Sequence, residues 1–360
     1  MIKTFPRIIF LFIFCLFLVS WGSVGHKIIN SKCTESFPAS MAAFKIWSDS
    51  LGANASNADN RKDTVKTESP KHFIDIDNYS EFIATGRIAS TYDSIVSIHG
   101  ASFITSNGSL PWATVNMYDT LVVDFKKLKW HKAMLDASDL GHYVGDGHMP
   151  LHLTKNYDGG LTGQTGIHSR YESTMVYAYS SSLSNYTGYV SDPVNLVTNI
   201  NKYVFDYIYF DYQYKDSVLA ADTYAKKSAG NTTSSAYTAA LWSKTQFTNM
   251  LFRNSSHSLA ELIYSAWIEA GSPPFGAKTV SAISNTTRNS ISIYPNPSKG
   301  ILNVLGEEIF RTEVCSITGS KLGLFYGKQI DLSNLSNGMY VLSIYGKDGL
   351  LKKEKILLAK

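Results

Sequence analysis

Two histidines in the middle of the sequence each precede a carboxylate by four residues, and this spacing constrains the fold more than any other feature. His142 stands four residues before Asp146, and His168 stands four residues before Glu172. Residues four apart lie on one face of an α-helix, about one turn from each other. Each pair can therefore chelate one metal ion, and the spacing predicts two ligand-bearing helices.

A third histidine lies between the two pairs. His152 follows Pro150, which we expect to end the first helix and to turn the chain back. Zinc suits this set because it binds imidazole nitrogen and carboxylate oxygen, and its catalytic sites keep one position open. A single such pair often arises by chance or as a salt bridge on a helix face. Two pairs with a histidine between them predict a zinc site.

The N-terminus has the pattern of an export signal. Lys3 and Arg7 precede an apolar run over residues 8–19, which is short for a membrane span. We expect residues 1–20 to be a signal peptide and the mature chain to begin at Trp21.

The formal net charge of +4 does not indicate a nucleic-acid surface. Residues 1–20 carry a charge of +2, and residues 290–360 carry +3 from nine basic and six acidic side chains. The residues between them therefore carry −1. The basic excess belongs to the two ends of the chain and says nothing about a substrate.

The residue pattern changes along the chain. Residues 21–275 are mostly helical in character, with the clearest periodicity from Asp119 to Gly145 and from Ser258 to Ala270. Residues 276–290 are typical of a linker. Short alternating segments bounded by turn-forming residues follow in residues 291–360, namely 291–294, 301–305, 312–317, 339–345 and 350–358. The predicted fold class is a mainly α-helical catalytic domain followed by a small antiparallel β-sandwich tail.

Motifs in the tail carry a resemblance of their own. They are YPNP at residues 294–297, Gly300, LSNLSNGMY at residues 332–340, and a lysine-rich end over residues 352–360. Together they resemble the C-terminal sorting domain of the type IX secretion system. The resemblance implies that the type IX secretion machinery reads this tail as an address and that it is then removed. We expect the protein to be secreted or held at the cell surface.

Four segments of the helical region also match known motifs. They are WGSVGH at residues 21–26, SPKHFID at 69–75, GDGHMPLH at 145–152 and HSRYE at 168–172. In combination they resemble the superfamily of bacterial zinc-dependent phospholipases C and the single-strand-specific zinc nucleases of fungi and plants. The similarity spans most of residues 21–275 and implies a helical domain with metal ions at the base of a cleft.

The resemblance implies a cofactor of three zinc ions with a specific ligand set. The first ion would take Asp59, His72, His142 and Asp146; the second His152, His168 and Glu172; the third the amine and carbonyl of Trp21 with His26 and a shared Asp146. The amine of Trp21 becomes free only when the signal is cut. The third site would therefore be completed outside the cytoplasm.

The segment before SPKHFID departs from the family pattern, because it lacks the family tryptophan. Asp59 is the expected ligand there, with Asp63 as the alternative. By resemblance, Asp59 would also orient the nucleophile or accept its proton. Lys62, or else Arg61, would replace the family arginine that contacts phosphate.

Three further residues have expected roles. Phe73 and Asp75 directly follow ligand His72, in the segment that borders the base pocket of the nucleases, and we expect them to contact substrate. His148 is expected to hold a ligand by a hydrogen bond instead of binding metal.

The resemblance leaves two substrates open. The SPKHFID segment and the short spacing from Trp21 to His26 favour a single-strand-specific nuclease acting on DNA or RNA through a metal-bridged hydroxide. The HSRYE segment favours the alternative, a zinc-dependent phospholipase C that acts on phospholipid head groups. A less favoured third hypothesis is a metal-binding surface adhesin without enzymatic activity. No stable protein partner is predicted.

Overall fold

The computed structural model of the chain describes residues 22–190, 192–277, 291–306, 309–346 and 349–360. The chain divides into two compact units, Met1–Lys278 and Thr279–Lys360. The predicted signal peptide, Trp21 and most of the predicted linker lie outside the described residues.

Fifteen α-helices occur in the described part of the first unit. They are α1 Gly22–Lys32, α2 Ser48–Asn54, α3 Asn57–Arg61, α4 Ser80–Thr85, α5 Tyr92–His99, α6 Ala101–Asn107, α7 Leu110–Lys126, α8 Trp130–Gly147, α9 Ile167–Ser169, α10 Val176–Ala178, α11 Ser180–Ser184, α12 Ile200–Tyr212, α13 Lys215–Ala229, α14 Ser235–Lys244 and α15 Thr248–Glu269. Short 3₁₀ turns include Ser69–His72, Pro150–Leu153 and Gly160–Thr162, and Arg170–Met175 forms a π-helical turn.

The prediction of a single helix from Asp119 to Gly145 is wrong, because two helices, α7 and α8, occupy this segment. The chain breaks between α7 and α8, where Leu128 adopts a left-handed φ of 54°. The apolar periodicity continues across this break because both helices place residues such as Phe125 and Leu140 in one buried cluster. Periodicity alone therefore could not reveal the turn.

Three buried apolar clusters form the interior of this unit, and α8 borders them. Val144 belongs to the cluster shared with α7 and α15. Tyr143 belongs to the cluster around α12, and Met149, just beyond the end of α8, belongs to the cluster around α13 and α14. The C-terminal half of α8 is therefore buried on all sides, and any polar side chain there needs a partner.

The second unit is an antiparallel β-domain. Its strands are β1 Ser292–Tyr294, β2 Ile301–Leu305, β3 Arg311–Ser316, β4 Lys321–Phe325, β5 Gln329–Asp331, β6 Gly338–Gly346 and β7 Gly349–Leu358. They form two sheets in the orders β1-β2-β5 and β4-β3-β6-β7. The sequence prediction identified five of these strands and missed β4 and β5.

The predicted fold class, a mainly helical domain followed by an antiparallel β tail, is confirmed. Among the helices in the described residues, we find none that is long and apolar enough to cross a membrane.

Candidate metal centre

Helix α8 carries two fully buried polar residues near its C-terminal end, His142 and Asp146. Their four-residue spacing places both on one face, as the sequence predicts, and Nε2 of His142 lies 3.3 Å from Oδ2 of Asp146. Helix α1 can approach this face because residue 145 is glycine. A Cβ atom at Gly145 would lie 2.9 Å from Nδ1 of His26.

Asp146 is the centre of the arrangement. Its Oδ2 lies 3.0 Å from Nδ1 of His72, and its Oδ1 lies 3.3 Å from Nδ1 of His152 and 3.5 Å from Nε2 of His26. Together with His142, four histidines from separate parts of the chain therefore surround one carboxylate.

Three groups of residues in the described part of the chain could each hold a metal ion. In each group the ligand atoms lie within 4.8 Å of one another. The groups are Asp59 with His72 and His142, His152 with His168 and Glu172, and His26 with His142 and Asp146. Trp21, the remaining predicted ligand, lies outside the described residues.

Backbone carbonyl groups orient three of the histidine rings. Nδ1 of His142 lies 2.7 Å from the carbonyl of Ala55, and Nδ1 of His152 lies 2.6 Å from the carbonyl of His72. Nδ1 of His168 lies 3.3 Å from the carbonyl of Tyr157. A carbonyl can only accept, so each Nδ1 carries a proton, and Nε2 is the ring atom available to a metal ion.

In the group of His152, His168 and Glu172, the donor atoms approach one another without the alignment of hydrogen bonds. Nε2 of His168 lies 2.6 Å from Oε2 of Glu172, and Nε2 of His152 lies 3.5 Å from the same oxygen. Despite these short distances, Nε2 of His152 and both carboxylate oxygens of Glu172 have no hydrogen-bond partner in the described residues. Metal ligands point at a common centre and not at each other. The donor set therefore fits zinc, which takes imidazole nitrogen and carboxylate oxygen.

The electrostatics of the site favour a bound cation. Burial disfavours a charged His142, but Asp146 and Asp59 outweigh burial and raise its pKa to about 10. Burial has the opposite sign at Asp146, where His142 and His152 outweigh it and hold the pKa well below its ordinary value. Burial, and then the neighbouring His142, lower the pKa of His26 to about 4. His142 thus holds a proton at neutral pH unless a metal ion replaces it.

Zinc binding at pH 7 is therefore expected to release at least about one proton per chain, because His142 must lose its proton to bind zinc. Calorimetric titration of the metal-free mature protein in buffers of different ionisation enthalpy measures this release. The release attributable to His142 should decline as the pH rises towards the pKa of this residue. Heats independent of the buffer at pH 7 would contradict the expectation.

The residues around Asp59 are paired with one another. Nζ of Lys62 lies 2.6 Å from Oδ1 of Asp59. Arg61 instead directs Nη1 to Asp139 at 2.8 Å and Nη2 to Glu68 at 3.3 Å. The alternative ligand, Asp63, is exposed. Asp59 and Lys62 therefore lie at the metal centre, whereas Arg61 is paired with Asp139 and Glu68 beside it.

The predicted substrate residues Phe73 and Asp75 are half-buried and directly follow His72. Burial, assisted by Asp77, raises the pKa of Asp75 to about 6. Their contact with substrate stays a prediction.

Glu68 is a buried carboxylate that the sequence analysis missed. Its Oε1 accepts a hydrogen bond from the Tyr143 hydroxyl and lies 3.7 Å from Nε2 of His72. Its Oε2 lies 2.9 Å from Nζ of Lys71. Because His72 turns Nδ1 to the centre, Glu68 lies behind the ring, on the side of Nε2. The sequence did contain a signal for Glu68, because it stands four residues before His72. This is the spacing of the other two pairs, with the carboxylate first and the histidine second.

His148 does not have the predicted role. Its Nδ1 lies 2.5 Å from Oδ2 of Asp211 and its Nε2 lies 3.2 Å from Oγ of Ser258. Neither partner belongs to the three metal groups. The reason is that residues two apart on a helix point in nearly opposite directions, so His148 turns away from the face that carries Asp146.

Comparison with known families identifies the tail. Residues 292–359 match the family model described as the secretion system C-terminal sorting domain. The tail therefore indicates export, with the protein secreted or held at the cell surface, and implies an interaction with the secretion machinery. A comparison with curated protein sequences returns no match.

Comparison with solved structures returns α-toxins of two clostridia. The alpha toxin from Clostridium absonum is 11% identical, with a TM-score of 0.44, and the match covers 95% of this chain and 97% of that one. The alpha-toxin from an avian strain of Clostridium perfringens is 12% identical, with a TM-score of 0.45, and the match covers 95% and 98%.

Proposed function

We propose that this chain is an exported, zinc-dependent hydrolase of phosphodiester bonds. The observation that carries the proposal is the convergence of eight buried or half-buried imidazole and carboxylate side chains into three metal-sized groups. In the group of His152, His168 and Glu172, the donor atoms approach one another without hydrogen-bond alignment. Paired divalent ions are a common device for displacement at phosphorus.

The protein's own residues would bind and orient the reactants. When bound, zinc supplies Lewis-acid charge for phosphoryl oxygens and makes water more acidic. Burial would raise the pKa of Asp59, but His142 and Lys62 outweigh it and hold the pKa well below its usual value. Asp59 is therefore ionised at neutral pH, and because so acidic a carboxyl group is a weak base, it would orient the attacking water by accepting a hydrogen bond. Lys62 brings a positive charge to the same edge of the site, where a phosphate oxygen would bind.

Between the two substrates, we favour a phospholipid. Two exposed apolar side chains lie on the loop that leads to His168. Tyr157, whose carbonyl contacts His168, is 46% exposed, and Leu161 on the same loop is 71% exposed. An exposed leucine suits a lipid surface better than a charged polynucleotide strand.

The mature zinc-loaded protein is expected to release phosphorylated head groups from phosphatidylcholine vesicles. Chelation should abolish this activity, and zinc should restore it. A soluble chromogenic phosphodiester and single-stranded DNA are assayed in parallel. Full activity in metal-stripped protein would contradict the proposal, and cleavage of DNA without turnover of vesicles would identify a nuclease.

A variant pair tests the lipid contact within the same assay. Leu161→Asp is expected to lower the rate on vesicles about tenfold, because partial loss of leucine burial costs about 1.5 kcal/mol. Its rate on the soluble substrate should not change. Ile46→Asp is the matched control, since Ile46 is 70% exposed on another segment of the chain. Equal effects of both variants would remove the argument for a lipid surface at Leu161.

A further inference from the structure

A buried polar cluster lies beside the second metal group without supplying a ligand to it. Its centre is Asp222 of α13, which is fully buried. The Asp222 carboxylate accepts hydrogen bonds from the Tyr237 hydroxyl, from Nη2 of Arg170 at 3.0 Å and from Nε2 of Gln164 at 2.9 Å. We call these four residues the Arg170 cluster.

Arg170 also holds the loop that leads into the ligand segment. Its Nη1 donates to the carbonyl of Thr165 at 2.9 Å, and its Nη2 donates to the carbonyl of Gln164 at 3.0 Å. Gly166 has a φ of 89°, and a Cβ atom there would lie 2.6 Å from Nη1 of Arg170. The guanidinium therefore fixes the path of the backbone immediately before His168.

The ligand segment itself needs such support. Arg170 stands two residues after His168 and two before Glu172, and it begins the π-helical turn Arg170–Met175. Single π-turns are rare and occur frequently at functional sites. Residues two apart on a helix point in nearly opposite directions, so Arg170 reaches away from the ligands towards α13 and α14.

From these contacts we infer that the Arg170 cluster is a positioning device for the second metal group. The cluster anchors the loop before His168 and also the first residue of the π-turn after it. It thereby sets the distance between the side chains of His168 and Glu172 and the directions in which they point. Loss of the anchor should weaken the metal ion held by His152, His168 and Glu172 selectively. Outer contacts that orient metal ligands typically contribute 10- to 100-fold in affinity. The inference rests on the proposed metal site but not on the identity of the substrate.

Competitive titration with a chromogenic zinc chelator tests the inference on the mature protein, without reference to activity. Arg170→Met is expected to weaken one bound ion about 10- to 100-fold and to leave the others within about threefold of wild type. Arg170→Lys keeps the charge but loses the planar fork, and it should restore only part of the affinity. Should Arg170→Met fail to fold, weakening of one ion by at least about threefold in Arg170→Lys is the expected result.

The matched control is Lys226→Gln. Nζ of Lys226 lies 2.9 Å from Oδ2 of the same Asp222, so this change removes a cation from the carboxylate and leaves the contacts of Arg170 in place. Its zinc affinities should equal those of wild type. Unchanged affinities in both Arg170 variants, or equal weakening of all ions, would overturn the inference. Wild-type protein that binds the ions but hydrolyses no phosphodiester would instead overturn the proposed function alone.

Discussion

Replacement of Asp146 by Asn is expected to lower kcat/KM by more than about a hundredfold and to remove more than one zinc ion per chain. The expected loss exceeds the range for residues that act only behind the ligands, because Asp146 belongs to one metal group and also lies against a histidine of each of the other two, His72 and His152. An amide keeps the shape of the side chain but lacks the negative charge. Zinc content by elemental analysis and kcat/KM on the soluble phosphodiester measure the two effects.

Asp136→Asn is the matched control for this prediction. Asp136 lies on the same helix α8 and pairs with Lys132, away from the metal groups. The same chemical change there should leave the zinc content unaltered. An Asp146→Asn protein with the zinc content and rate of wild type would refute the assigned position of Asp146 at the centre of the site.

Replacement of Asp211 by Ala is expected to lower the free energy of unfolding by about 3–5 kcal/mol. Asp211 is fully buried in α12, and His148, its partner at 2.5 Å, is also buried. Removal of one member of a buried pair leaves the other without compensation for its lost hydration. Urea denaturation of zinc-saturated wild type and variant measures the difference. A change below about 1 kcal/mol would contradict a structural role for this pair.

Ser258→Ala is the informative companion variant. Ser258, His148 and Asp211 stand in the order of a nucleophilic triad, with Oγ of Ser258 3.2 Å from the histidine. All three are buried, and the Tyr203 hydroxyl also donates to Ser258 at 3.1 Å. We therefore expect this serine to support the fold, and phosphodiester hydrolysis by Ser258→Ala should equal that of wild type. A loss of turnover without loss of zinc would assign it a chemical role.

The sequence determined the features that depend on local spacing. A four-residue interval on a helix fixes a shared face, so the approach of His142 to Asp146 and of His168 to Glu172 followed from the repeat of the α-helix alone. The alternation of the tail likewise followed from the two-residue repeat of a strand, and its motifs identified the sorting domain.

Only the tertiary structure decided how these local pieces meet. The family resemblance implied that Asp146 shares metal ions with His26 and His72, but no local spacing did so. The position of Glu68 behind His72 and the anchoring of Arg170 by Asp222 likewise join residues far apart in the chain. The same holds for the break at Leu128, since the two helices that it separates bury their apolar residues in one cluster. Helical and strand repeats are properties of a few neighbouring residues. The meeting of distant segments depends instead on the packing of whole surfaces, which no short interval of the sequence records.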